Sequence, residues 1–407
     1  MGSRTRVLGV GFLPAAIVFA TAGCPGGDSA VNEARRVRDQ RIGESAEHRR
    51  FDIEISRGAT DPVRREQLVH AIADDRFAIA SLALDTLAAA PPAEARDALR
   101  QVFDGKSGVL KLRAAVALGR LGDEAAVAFL REQIRVPEQT LGLEVVTVLA
   151  AHGGEPVLAP VFAPRLASDD RDTREEAYAL LGAVRAPWAT DLLLRGLERE
   201  HGEERRAAIQ ALGRTGEPRV ASAIERFVNT KGLVFATLEA LGAVGSPDGA
   251  DAVRSMLASA EPTVRAYAAV ALWRLGGKSE AEPVVSAGLT DADASARAVL
   301  AEQLAPVADP DARRYLAVLA LDTERTVRVA ALRSMAAEPR VEDLNSLLAA
   351  AGDADYQLQT IALGALARAG GPEAAAAIRP LVRSENPYVA LAAAHAVVEI
   401  TARAKAA

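Results

Sequence analysis

Cysteine, aromatic residues and long hydrophobic runs are scarce in this chain of 407 residues, and each scarcity excludes a class of protein. Cys24 is the only cysteine, so the chain forms no internal disulfide and no zinc site built on cysteines. Aromatic residues make up 4% of the sequence, and the apolar half is largely Ala, Leu and Val. Small apolar side chains suit helices that pack closely, and β-branched or aromatic runs between frequent turns, typical of all-β folds, are absent.

The charges are close to balance, with 48 Lys and Arg against 54 Asp and Glu and a net charge of −6. Phosphate backbones are bound by an excess of basic residues, so we expect no nucleic acid as the main partner. The five histidines are scattered without metal-ligand spacing, and neither a phosphate-binding glycine loop nor a serine nucleophile motif is present. The sequence therefore predicts no metal, no cofactor and no catalytic residue.

The amino terminus has the pattern of an export signal. Arg4 and Arg6 precede an apolar stretch, Val7 to Ala22, that is too short to span a bilayer. Thr21-Ala22-Gly23-Cys24 then resembles the lipobox of bacterial lipoproteins, although Thr21 stands where Leu is usual. The resemblance implies a signal peptide at 1–23 and a lipid on Cys24, with anchoring to a bacterial membrane on the periplasmic or cell-surface side. An ordinary secretory signal or a retained anchor are the alternatives.

The segment after the cysteine, 24–60, is polar and of mixed charge. It predicts a tether and spacer, partly disordered, with room for a short helix near Val31–Ile42.

Self-similarity is the most informative feature of the sequence. The stretches LRAAVALGRLG (112–122), RAAIQALGRTG (206–216) and FATLEALGAVG (235–245) align on a leucine. The same frame places eleven anchor positions 29 to 32 residues apart: Leu87, Leu118, Leu149, Leu181, Leu212, Leu241, Leu272, Leu304, Met335, Leu366 and Val397. Gly, Pro and Asp between them mark helix ends. The pattern predicts about eleven units of two helices each over 61–401, followed by a tail at 402–407.

The position seven residues before the anchor is repeatedly basic, at Lys111, Arg174, Arg205, Arg265, Arg297 and Arg328. Acidic residues recur in the turn before it, as at Glu204, Asp291 and Asp322. A charge beside a buried seam needs a partner. We therefore expect Asp or Glu pairs with these basic residues that link one repeat to the next.

The combination of an acidic turn, a Val-Arg pair and an Ala-Leu-Gly triplet resembles HEAT repeats, in particular the short type of phycobilisome lyases. Val264-Arg265, Val327-Arg328 and the triplets at 117–119, 211–213 and 240–242 carry the resemblance, which covers 61–401 and is weakest at Gly142 and Ala390. It implies an all-α fold, a right-handed α-α superhelix of the HEAT or armadillo kind. It also implies that the second helices line a concave groove.

Residues two positions before and after each anchor lie opposite the core at 100° per residue. The candidate groove residues are Arg120, Gln210, Arg214, Glu239, Arg274, Glu302, Arg333 and Arg368, with Thr147 and His395 at equivalent positions. Tyr267 is a candidate aromatic anchor, and Trp273 fits either the groove or packing between repeats. This face is either a solvated surface or an Arg-rich ridge that binds an acidic or extended protein segment.

Asp291, Asp293, Ser295 and Glu302 match the ligand spacing of a calcium loop, but Ala296 replaces the required glycine and the repeat frame makes the segment helical. These acids are therefore interpreted as turn residues.

The sequence favours a non-enzymatic scaffold that binds a protein or peptide in its groove and is anchored through Cys24. One alternative is a lyase or lyase-chaperone subunit of the phycobilin lyase type, acting on a tetrapyrrole-bearing protein. A HEAT-type DNA glycosylase is a second alternative, disfavoured by the acidic net charge.

Overall fold

The computed structural model describes residues 27–135 and 142–406, and within these ranges every regular element is a helix. The predicted signal peptide and Cys24 lie outside the described residues. The α-helices are α1 Gly27–Glu44, α2 Ala46–Ile55, α3 Pro62–Ala71, α4 Phe77–Ala88, α5 Arg96–Gly105, α6 Gly108–Arg120, α7 Glu124–Gln133, α8 Leu143–Ala151, α9 Glu155–Leu166, α10 Arg171–Leu181, α11 Pro187–Arg199, α12 Gly202–Thr215, α13 Ala221–Ile224, α14 Val234–Val244, α15 Ala250–Ser255, α16 Pro262–Arg274, α17 Lys278–Gly288, α18 Ala294–Leu304, α19 Pro310–Leu319, α20 Arg325–Ala337, α21 Leu344–Ala351, α22 Tyr356–Ala369, α23 Pro372–Ile378 and α24 Pro387–Ala406. Short 3₁₀ turns extend α5, α13, α15, α21 and α23.

Helix ends follow the punctuation of the sequence. Asp123, Asp170 and Asp293 precede α7, α10 and α18, and each carboxylate accepts a hydrogen bond from a backbone N–H of the first turn. Gly216 and Gly245 end α12 and α14 with φ of +69° and +70°, in the left-handed region that favours glycine.

The helices alternate between two layers. Each even-numbered helix packs against the next even-numbered helix, except that α9 connects α8 to α10, while odd-numbered helices contact each other much less. The even-numbered helices are therefore termed the inner helices and the odd-numbered ones the outer helices. The anchor residues of the eleven predicted units are all buried on the inner helices. The all-α solenoid predicted from the repeats is confirmed.

The glycine of the Ala-Leu-Gly triplet sets how closely successive inner helices approach. A Cβ atom added at Gly213 would lie 2.7 Å from Cα of Ala240 on the next inner helix. Gly242, and Gly182 in the Leu-Leu-Gly of α10, meet Ala271 and Ala211 of the following inner helices in the same way, at 3.0 and 2.8 Å. The glycine therefore allows the backbones of neighbouring inner helices to come into direct contact.

The expected ion pairs between repeats are confirmed for four of the six basic positions. Arg174, Arg265, Arg297 and Arg328 reach Glu204, Asp291, Asp322 and Asp353 of the following unit, at 2.8, 3.2, 2.7 and 4.0 Å. Each of these arginines also donates to backbone carbonyls of its own turn, as Arg297 does to Asp291 at 2.6 Å. Lys111 and Arg205 lie instead over phenylalanine rings.

A twelfth helix pair precedes the eleven predicted ones. Residues 27–55, within the segment expected to be a spacer, form α1 and α2, and the short helix expected near Val31–Ile42 lies inside α1. Helix α1 packs against α24, and α2 contacts both α24 and α4. The first unit thus stands beside the last one, and the solenoid closes into a ring.

Helix α24 shows why closure is favourable. Every residue from Val389 to Ile400 is buried and most of them are apolar, so this helix needs cover on both sides. Glu399 accepts hydrogen bonds from the backbone N–H and hydroxyl of Thr60, at 2.6 and 2.7 Å. Tyr388 packs edge-on against Phe51 at 5.1 Å, and α24 continues through 402–406, the segment expected to be a tail.

Candidate functional site

The inner helices expose a wall toward the middle of the ring, and the nine predicted groove residues lie on it. Arg214, Glu239, Glu302, Arg333 and Arg368 are exposed. Arg120, Gln210, Tyr267 and Arg274 are half-buried. They follow the helix periodicity, so residues at the same position relative to the anchor form rows around the wall.

Three arginines of this wall are bound to the protein itself. Arg120 donates to the carbonyl of Ala88, Arg214 to that of Ala179 and Arg368 to that of Ala336. Each acceptor belongs to the preceding inner helix and lies in its last turn, where carbonyls lack helical partners and attract cations. Burial also lowers the pKa of the Arg368 guanidinium. These arginines therefore connect neighbouring inner helices.

The wall across α14, α16 and α18 brings four of the predicted residues together. Burial raises the pKa of the Tyr267 phenol, and the nearby charges of Glu239 and Glu302 raise it further. Burial lowers the pKa of Arg274, and Glu239 opposes that shift. Phe235, which the two-position pattern missed, is 42% exposed and packs on Tyr267 with ring centroids 5.1 Å apart.

Two clefts open on the inner wall. One, of about 450 Å³ between α18 and α20, is lined by Glu302 and Arg333 at its polar edge and by alanines below. The other, of about 490 Å³ between α4, α6 and α8, contains Arg120 and the ion pair of Arg113 with Asp85, which is 2.8 Å long. Both clefts are open parts of an extended surface. Such a surface suits an extended polypeptide better than a compact small molecule.

Two aromatic positions considered for the groove lie elsewhere. His395 is buried because α1 covers α24, and its pKa is lowered to about 4 by burial and by the charges of Arg38, Arg368 and Arg403. Trp273 is also buried; its ring packs edge-on against Tyr315 at 6.1 Å, which places it between repeats. Thr147 is exposed and donates to the carbonyl of Leu143.

The acids that match a calcium loop have other roles. Asp293 caps α18, Asp291 pairs with Arg265, and Glu302 lies in the ninth position of a regular helix. Within 27–135 and 142–406, no group of three or more His, Cys, Asp or Glu residues is placed to hold a metal ion. Over the same ranges, no helix has both the length and the apolar character needed to cross a bilayer.

Comparison with known proteins concerns the repeat. The family profile described as HEAT repeats matches residues 159–234, and no curated protein matches the sequence significantly. Among solved structures, the complex of CpcE and CpcF of phycocyanin lyase from a Nostoc species is similar at 19% identity, over 62% of this chain and 92% of that one, with a TM-score of 0.37. Human deoxyhypusine hydroxylase is similar at 20% identity over 61% and 97%, with a TM-score of 0.28.

Yeast importin-β is similar at 11% identity, with a TM-score of 0.37. The match covers 78% of this chain and 52% of importin-β, so this chain spans about half of that protein. Values this low say nothing about a shared ligand or activity. The family match and the twelve successive helix pairs together identify the fold. The chain is an all-helical solenoid, and its residues 159–234 match the profile of HEAT repeats.

Proposed function

We propose that this protein is a non-enzymatic scaffold that binds an extended segment of a partner protein on the inner wall of the ring. The observation that carries the proposal is the wall across α14, α16 and α18, where the ring pair of Phe235 and Tyr267 lies beside the exposed side chains of Glu239 and Glu302. Solenoids commonly present such extended concave surfaces to proteins and peptides.

The dimensions of the ring suit this role. Twelve inner helices about 9 Å apart enclose an opening roughly 20 Å wide once the helix radius is subtracted. An extended polypeptide fits that opening, whereas a folded domain does not. The partner would therefore enter as a flexible segment or bind while the ring is open.

The proposal includes export and anchoring through a lipid on Cys24. Its support is the sequence: the basic residues Arg4 and Arg6, the apolar stretch Val7 to Ala22, and the single cysteine directly after it. A ring tethered in this way would hold its partner at the membrane surface.

Site-specific photo-crosslinking in cells tests the binding surface. A photoreactive residue in place of Gln210 on the inner wall should crosslink to partner polypeptides. The same residue in place of Asp251, which is exposed on outer helix α15, should not. Equal crosslinking at both positions, or none at Gln210, would contradict the proposal.

The same cells, grown with a labelled fatty acid, report the anchor. The wild-type protein should carry the label and fractionate with membranes, and the Cys24→Ser variant should lose both properties. An unlabelled wild-type protein would remove the anchor from the proposal and leave the binding surface to the crosslinking result.

A further inference from the structure

We infer that the wall across α14, α16 and α18 binds a basic extended segment, with Lys or Arg side chains at Glu239 and Glu302 and against the ring pair of Phe235 and Tyr267. The inference rests on the proposed function and specifies the chemistry of the partner. It reverses the expectation of an Arg-rich ridge that binds an acidic segment.

The aromatic pair is an unoccupied surface for a cation. Phe235 is 42% exposed, and Tyr267 is half-buried beside it. Elsewhere, Lys111 covers Phe103 and Phe129, Arg205 covers Phe227, and Lys278 covers Trp273. Among the described residues, no Lys or Arg lies over Phe235 or Tyr267. Aromatic faces attract cations, so these two rings can accept a basic side chain from another molecule.

The two carboxylates beside the rings also lack partners. Glu239 and Glu302 are exposed, and neither forms a hydrogen bond or ion pair with another residue of the described ranges. Most comparable acids of the repeats are paired: Asp85 with Arg113, Glu204 with Arg174, and Asp322 with Arg297. A carboxylate next to an aromatic face favours the binding of a cation for two reasons. The carboxylate attracts it by its charge, and the ring attracts it through its quadrupole.

Two arginines of the wall lie near these carboxylates: Arg274 is close enough to Glu239 for their charges to interact, and Arg333 lines the same cleft as Glu302. Neither arginine forms an ion pair with them in the described part of the chain. Arg274 lies two residues beyond its anchor, and its Cδ is 3.8 Å from the Cβ position of Gly242 at the end of α14. It occupies the place where Arg214 and Arg368 reach the carbonyls of the helix before them. The side chain of Arg274 thus lies against α14 at Gly242, and the carboxylates of Glu239 and Glu302 stay exposed.

The spacing of the groups defines the segment they fit. Glu239 and Glu302 both stand two residues before an anchor, and the helix carrying Tyr267 lies between theirs. The helix axes are about 9 Å apart, but side chains that point into the ring converge, so on an opening roughly 20 Å wide the two carboxylates are separated by roughly 10 Å. An extended chain rises about 3.3 Å per residue and every second side chain faces the same side, so the two basic residues would be about four positions apart.

Fluorescence anisotropy with the full-length protein and synthetic peptides tests the inference. The probe is a labelled peptide of Ala and Ser with two lysines four positions apart, and a peptide with glutamates at those positions is compared with it. The lysine peptide should bind more tightly than the glutamate peptide. The isosteric double variant Glu239→Gln/Glu302→Gln should weaken its binding about tenfold.

The matched control is Glu132→Gln/Glu198→Gln, which removes the same charge from outer helices and should change the affinity less than twofold. Tyr267→Leu should weaken binding while Tyr267→Phe, which keeps the ring, should retain it. Equal losses in both double variants, equal binding of both peptides or no binding of the lysine peptide would overturn the inference. Crosslinking at Gln210 would still occur in those cases if the proposed scaffold function holds.

Discussion

The absence of a Cβ atom at the glycine of an Ala-Leu-Gly triplet allows neighbouring inner helices to pack closely. At Gly213 the neighbouring inner helix approaches so closely that an added Cβ would lie 2.7 Å from both Cα and Cβ of Ala240. The contact involves the backbone of a regular helix, which cannot yield as a flexible side chain can. Gly364 occupies a similar helix interior, yet a Cβ there would meet no atom within 4 Å.

Gly213→Ala should therefore destabilise the protein by about 1–3 kcal/mol, because the helices must separate to accommodate the methyl group. Gly364→Ala is the matched control and should be neutral or stabilising by up to about 1 kcal/mol, since alanine is the better helix former. Urea unfolding followed by circular dichroism measures both changes. Similar effects of the two substitutions would show that the close contact at Gly213 has no energetic weight.

At the scale of the element, ion pairs between an arginine of one unit and an acidic residue of the next connect successive repeats. Arg297 pairs with Asp322 of the next unit through two hydrogen bonds, of 2.7 and 2.9 Å, and donates to the carbonyl of Asp291 in its own turn. The side chains of Arg297 and Asp322 are only 11% and 8% exposed. Arg254 and Glu280 also link neighbouring units, but both side chains are more than 40% exposed.

Arg297→Met should lower the free energy of unfolding by about 2 kcal/mol, because it leaves Asp322 and a turn carbonyl without their main donor. Arg254→Met removes an ion pair that also links neighbouring units but is exposed to solvent, and it should leave the free energy of unfolding unchanged within error. Thermal unfolding of the two variants against the wild type compares them directly. A loss in Arg254→Met as large as that in Arg297→Met would contradict the role assigned to burial.

The repeating elements could be predicted because every unit solves the same packing problem with the same residues. A buried anchor, a small neighbour and a basic residue seven positions earlier recur in most units. Beyond the short helix expected near Val31–Ile42, the pair of α1 and α2 was not predicted, because these helices are polar and charge-rich and α1 buries little more than Val31, Ala34 and Arg38. Their stability depends on α24, hundreds of residues away, and local periodicity carries no signal of such a contact.

The candidate site was predictable only in outline. The face of the inner helices followed from the 100° rotation per residue, and Glu239 and Glu302 were identified on it. Phe235 was missed because the pattern considered two positions per helix, although a residue six before the anchor lies on the same side. The sequence did not predict that Arg214 and Arg368 donate to carbonyls of the preceding helix, because these contacts depend on the distance between helices.

For the whole molecule, ring closure depends on contacts between the two ends of the chain. Glu33 of α1 forms ion pairs with Arg379 and Arg383, and Arg41 donates to the carbonyl of Ser384 at 3.2 Å. Beneath them lies His395, buried in α24 and near Arg38 of α1. An open solenoid would expose that side of α24, so closure and the burial of His395 are coupled.

The pKa of His395 gives closure a pH dependence of defined sign. Burial and three arginines lower it from an ordinary value near 6.5 to about 4, so the closed ring holds the neutral imidazole. A lowered histidine pKa contributes stability that is complete above pH 6.5 and is lost as the pH falls toward 4. A difference of this size corresponds to about 3 kcal/mol at most.

Hydrogen exchange of α1 and α2 should therefore accelerate between pH 6.5 and 4.5, after correction for the intrinsic exchange rate, while exchange in α12 and α14 stays slow. His395→Leu keeps an apolar side chain at this position and should abolish the selective acceleration, because nothing buried there then gains a charge. His201→Leu, which removes an exposed histidine, serves as the control and should behave like the wild type. If acid loosens α1 in His395→Leu as much as in the wild type, His395 does not govern closure.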